Sequence, residues 1–176
     1  MPVVRSRGGR EFVIRPIRAD DGDRLRAAYD SLSPRSQYRR FHVAKPHLSA
    51  SETRYLVDVD GTNHYALVAT PLDRPDWIAA VARFVRLPED PHTAEIAVVV
   101  GDPFQGEGLA THVLEALGEK ALARGITRFR ATVLTENIPA HRMLRRMSRG
   151  HASERRLGPV VEIEVDLARA QAAPLR

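Results

Sequence analysis

The chain has 176 residues, no cysteine, and a formal net charge of +5 from 27 basic and 22 acidic side chains. This length suits one domain with a substantial core. Without cysteine, neither a disulfide framework nor a thiolate metal site is available. No apolar run approaches the length of a bilayer span and no apolar signal segment opens the chain, so a cytoplasmic protein with no membrane partner is expected.

Residues 1–10 are basic and glycine-containing and read as a flexible tail ahead of a single domain over 11–168. Residues 12–17 read as a first strand. Asp20 and Asp21 precede Leu25, Ala28, Tyr29 and Leu32, the stripe of an amphipathic helix with acids in its first turn. A break at Ser33-Pro34 leads to a short helix over 36–41. Ser49, with Glu52 three residues on, forms the capping box of another helix. Residues 64–69 and 77–87 are the next strands, Trp77 being read as a core anchor at the head of the second. Residues 88–91 join that strand to the next.

Residues 96–100 are an uninterrupted apolar run, mostly β-branched, long enough for a buried strand and too short for a helix. Pro103 and Gly106 end it. After Gly108 the period turns helical, with Leu109, Val113, Leu114, Leu117, Ala121 and Leu122 on one face and Gly125 at the C-terminal cap position. Gln105-Gly106-Glu107-Gly108 lies between strand and helix, and its two glycines let successive backbone N–H groups converge on an anion at the helix N-terminus. A P-loop is excluded because no Gly-Lys-Ser/Thr follows, and a Rossmann turn because the glycine spacing is wrong. Residues 129–134 read as a strand, 137–147 as an amphipathic helix, 160–167 as a last strand and 169–176 as a frayed tail. This order implies an α/β architecture, a mixed sheet with helices on both faces.

Gln105, Gly108 and Ala110, following a valine-rich strand, match the fixed positions of the GNAT superfamily signature, and the chain resembles that superfamily over roughly 12–167. Asn137 and Ala140 match its Asn-x-x-Ala pattern at the start of a later helix. Residues 14–18, 32–34, 38–41 and 58–60 resemble the GNAT domains of bacterial protein-lysine acetyltransferases; the chain is too short to include the extra regulatory or synthetase-like domain those usually carry. The resemblance implies a twisted, mostly antiparallel GNAT sheet of six to seven strands. It also implies an acetyl-CoA-dependent N-acetyltransferase acting on a primary amine, with a protein lysine as expected acceptor. A small amine such as a polyamine or antibiotic is the alternative acceptor, and a non-catalytic acyl-CoA-binding module the alternative class.

The same resemblance assigns site residues. The backbone of Val98, Val99 and Val100 would pair with the pantetheine arm. The amides of Gln105, Gly106, Glu107, Gly108, Leu109, Ala110 and Thr111 would hold the CoA pyrophosphate. Asn137 would cap its helix or meet the pantetheine amides. Glu95 matches the general base of protein-acetylating members, a role the chemistry needs: a lysine with a pKa near 10.4 is neutral in only about one molecule in two thousand at pH 7. Leu144 stands where many members have a tyrosine acid, and Ser148-Arg149 where they have Gly-Phe. No covalent acyl-enzyme is implied, since there is no Cys and no Ser-His-Asp spacing. Seven histidines without a His-Glu-x-x-His string give no metal site. Arg142, Arg145, Arg146, Arg149, Arg155 and Arg156 read as a solvated helix face plus loop; no nucleic-acid signature accompanies them and no such partner is expected.

Overall fold

A computed structural model describes residues 2–172. Eight strands form one sheet in the order β1-β2-β3-β4-β5-β6-β8-β7: β1 (Val3–Arg5), β2 (Glu11–Pro16), β3 (His64–Pro71), β4 (Ala80–Leu87), β5 (Asp90–Val100), β6 (Arg128–Leu134), β7 (Ala152–Leu157) and β8 (Val160–Asp166). Neighbouring strands run antiparallel except β5 and β6. The helices are α1 (Gly22–Asp30), α2 (Pro34–Phe41), α3 (Ala50–Val57), α4 (Leu109–Leu122), α5 (Ile138–Ser148) and α6 (Leu167–Ala172).

The parallel pair follows from chain path, because β5 returns to β6 through α4 and a crossover of that length delivers a parallel strand. The α4 stripe of Leu109, Val113, Leu114 and Leu117 is fully buried against one face of the sheet, with Phe84 and Phe129. On the opposite face, Leu25 and Tyr29 of α1 and Leu56 and Val57 of α3 pack on Val68 and Val81. All eight residues of β3 are therefore buried, covered from both sides.

One buried ion pair sets how α1 leaves the sheet. Arg15 of β2 grips Asp21 with two hydrogen bonds of 2.7 and 2.8 Å, and Asp21, with no exposed surface, also accepts the Arg18 amide. Burial alone would raise the Asp21 carboxyl; its hydrogen bonds with Arg15, the Arg18 amide and Arg24 outweigh that and hold it below the usual carboxylate range.

The structure departs from the sequence reading in five places. Residues 3–5, read as part of a flexible tail, are an edge strand, with Val3 opposite Val13. The sheet has eight strands rather than six or seven, β7 being the other addition. Residues 88–91 are only half a joint: Leu87 faces Asp90 across a tight hairpin, so Asp90 and Pro91 already belong to β5. Trp77 precedes β4 and is 52% exposed, its ring beside the Arg74 guanidinium at 4.7 Å, so it anchors nothing in the core. The expected frayed tail begins inside α6, whose Leu167 and Ala170 are buried; residues 173–176 lie outside the described residues, as does Met1.

Candidate active site

The site is built where β5 parts from β6. Their pairing covers only Thr93, Ala94 and Glu95, opposite Arg128, Phe129 and Arg130. Beyond Glu95 the strands diverge around a cleft of about 350 Å³, with Ile96, Ala97 and Val98 on one wall and Ala131, Thr132 and Val133 on the other. From Ile96 to Val100, β5 is paired with β4 on one side only. Its other edge is thus available to an extended ligand. Val98 and Val100 pack towards the α4 face and Val99 towards the other, so only backbone groups on the open edge can serve such a ligand; of these the Val100 carbonyl already accepts from Gln105 Nε2.

At the end of β5, Asp102–Phe104 make one turn of 3-10 helix, and Phe104 is buried edge-on against Phe12 at 5.7 Å. Gly106 and Gly108 then take φ of +78° and +85°, the left-handed region that side chains with a Cβ enter at a cost. Within 105–111 the amides divide. Gln105 N–H donates to the Asp102 carbonyl at 3.3 Å and Thr111 N–H to that of Gly108 at 3.1 Å. The N–H groups of Gly106, Glu107, Gly108, Leu109 and Ala110 meet no acceptor among the described residues. Five unpaired donors over a helix N-terminus fit a diphosphate. The Gln105 side chain instead braces the turn, donating to Val100 O at 3.0 Å and Ser36 Oγ at 3.1 Å. The Glu107 carboxylate is held by Ser6 Oγ at 2.6 Å.

Asn137 caps α5, accepting the Ala140 amide at 3.4 Å, and also lines the cleft. Leu144, 2% exposed, closes its α5 side. Glu95 is exposed and belongs to two clefts at once. The second, about 330 Å³, lies under α2 and α3 and is lined by Arg40, Glu52, Tyr55, Arg83 and Val85 among others. Glu95 makes no ion pair with a described residue, while its charge reaches Arg40, whose pKa burial lowers against the opposing effects of Tyr29, Glu95 and Tyr55. The loop at 105–111 contributes to neither cleft wall. Sequence reasoning missed Arg40, Tyr55 and Arg83 as site residues. The one available signal was Arg83 interrupting the apolar run over 78–85. Of the arginine group, Arg145 and Arg155 pair with Glu154 and Glu162 at 3.1 and 3.0 Å on the surface.

A strand pair that opens after three residues, with unpaired amides at the adjoining helix N-terminus, suits an extended ligand that ends in an anion. Residues 25–148 match the acetyltransferase (GNAT) family, and the chain belongs to it. Over 172 residues it is 35% identical to acetyltransferase Pat of Mycolicibacterium smegmatis, covering 97% of this chain and 50% of that protein. The GNAT domain of S. lividans PAT superposes with a TM-score of 0.85 at 30% identity, over 94% of this chain and 96% of that one. A cAMP-binding acyltransferase from Mycobacterium smegmatis matches with a TM-score of 0.67 and 30% identity, over 99% of this chain and 49% of that one. The chain thus spans about half the length of Pat. Among the described residues no helix is long and apolar enough to cross a membrane, and no three His, Asp or Glu are gathered to hold a metal ion.

Proposed function

We propose that the chain transfers the acetyl group of acetyl-CoA to the side-chain amine of a protein lysine by direct attack, in the cytoplasm, with Glu95 as general base. The observation that carries this reading is the position of Glu95, the last residue of the three-residue parallel pairing and a wall of both clefts. The cosubstrate supplies an activated acetyl thioester. The amides of 106–110 bind its diphosphate, the open edge of β5 after Glu95 aligns its amide-bearing arm, and Asn137 stands beside that arm. An amine entering through the second cleft meets Glu95, which accepts the ammonium proton directly or through water and raises the neutral fraction from about one in two thousand. The leaving thiolate takes its proton from solvent, because Leu144 has none to give.

A protein lysine is favoured over a polyamine by the charge of the second cleft. Arg40 and Arg83 line it, and Glu52 is occupied by Lys45 at 2.5 Å. A polycation finds little there to neutralise it.

Incubation with acetyl-CoA and a cell extract, followed by mass spectrometry, is expected to show acetyl-lysine on discrete proteins. Glu95→Gln should lower kcat/KM by about 10²–10⁴ at neutral pH, with the deficit shrinking as pH approaches the amine's own pKa. A loss no greater than about threefold across pH removes Glu95 from the mechanism. CoA binding without thiol release on a broad panel of amines and peptides would instead make this an acyl-CoA-binding module.

A further inference from the structure

Arg83 sits mid-strand in β4, opposite Ala66 of β3 and Ala97 of β5, so neither neighbouring strand offers it a charged partner. It is only 5% exposed. Its Nη1 donates to the Leu56 carbonyl at 3.1 Å and to His64 Nε2 at 3.0 Å, two neutral acceptors. Nε and Nη2 donate to no described residue. Among the described residues, the side-chain nitrogens both sealed from solvent and unpartnered belong to Arg86 and Arg130, so Nε and Nη2 of Arg83, a residue that lines the second cleft, keep contact with solvent.

No carboxylate among the described residues forms an ion pair with this guanidinium. Glu52, the acid on the overlying helix, is held by Lys45 and by the Ser49 amide at 2.8 Å. The charge that acts most on Arg83 is another cation, Arg40, which is also without an ion-pair partner among the described residues; burial and Arg40, against the opposing effect of Tyr55, lower the Arg83 pKa to about 9. His64 carries no compensating charge, since burial and Arg83 push its pKa down. A guanidinium with two neutral acceptors, a like-charged neighbour and open N–H groups is a seat for an anion that accepts through two oxygens. Glu95 projects from the same face of the sheet, opposite Val85 and diagonal to Arg83, which puts the seat about 7–8 Å from the proton acceptor, measured between Cα atoms.

We propose that Arg83, with Arg40, binds a carboxylate carried by the acceptor beside the reacting lysine, so that the preferred substrate is a protein segment in which an acidic residue flanks the lysine. This rests on the acetyl-transfer reading above and specifies its acceptor. The step is the same amine acylation; the carboxylate is held and not consumed.

The test uses the full chain, acetyl-CoA and two peptides that differ only in glutamate or glutamine on both sides of one lysine. Wild type should favour the glutamate peptide by about tenfold or more in kcat/KM, chiefly through KM. Arg83→Met should bring that ratio towards one, and Arg83→Lys should restore part of it. A purely structural role for Arg83 would slow both peptides alike and leave the ratio intact, which overturns the proposal. If Arg83→Met does not fold, the wild-type ratio decides, and equal efficiency on the two peptides sinks the inference alone. Turnover of neither peptide defeats it together with the acetyl-transfer reading.

Discussion

Asp102 and Ser36 are joined by a hydrogen bond of 2.8 Å that ties the turn after β5 to the first turn of α2. The same carboxylate accepts the Ser33 amide and hydroxyl, each at 2.9 Å, and Gln105 donates to Ser36 from the other side. The glycine loop after β5 and the helix that brings Arg40 to the second cleft are therefore one braced unit. Asp102→Ala should lower stability by about 1.5–3 kcal/mol, the scale of hydrogen bonds to a charged group. It should also raise KM for both acetyl-CoA and the acceptor. Urea unfolding and steady-state kinetics check this; a rise confined to one substrate would show that the two sides are not coupled here.

Gly108 occupies the left-handed region at φ +85° and caps α4. Gly108→Val should strain that turn by about 1–2 kcal/mol and disorder the unpaired amides. Glu107→Ala removes only the link to Ser6. CoA affinity by titration calorimetry should therefore fall much further for Gly108→Val than for Glu107→Ala. Equal affinities would remove the amides from the binding role.

Asp21→Ala leaves the Arg15 guanidinium buried without its partner, an arrangement that costs about 3–5 kcal/mol. Because the folded carboxyl lies below its unfolded value near 3.9, the pair's contribution is present above about pH 4 and lost as pH falls through the folded pKa. Urea titrations below neutrality should show the wild-type advantage over Asp21→Ala fading only in that acidic range.

His64 has the opposite chemistry with the same sign. Its pKa is pushed down by burial and by the Arg83 charge, against Asp60, and its Nε2 must accept, since Arg83 can only donate. The unfolded chain binds a proton near pH 6.5 that the folded one refuses, so this stabilisation is present above about pH 6.5 and declines below it. Melting temperature should fall between about pH 7 and 5, and His64→Gln, an acceptor that cannot be protonated, should flatten that slope.

The segment from β5 to α4 was legible because strand, glycine turn and helix each leave a distinct period. So was Ser49, whose capping box with Glu52 closes through hydrogen bonds of 2.8 and 3.2 Å. Strand β7 was not: all six of its residues are exposed and it borders one strand only, so Ala-Ser-Glu-Arg-Arg-Leu carries no alternation to read. Trp77 misled because ring size argues for burial, whereas its partner is the Arg74 guanidinium at the surface. Arg83 stayed hidden for a different reason. A lone arginine in a strand is ordinarily solvated, and only the register with Ala97 and the cover of α3 turn it inward.

Only three residue pairs fasten β5 to β6, which divides the sheet into a five-stranded and a three-stranded piece with α4 spanning beneath. A pantetheine arm seated in that gap would lend its own amides to both lips and act as mortar between the pieces. Cosubstrate loading then becomes a global event: amide exchange should slow in β6 and β8 as well as in the glycine loop at 106–110. Departure of CoA after each turnover would remove that bridge and return the exchange to its unliganded rate.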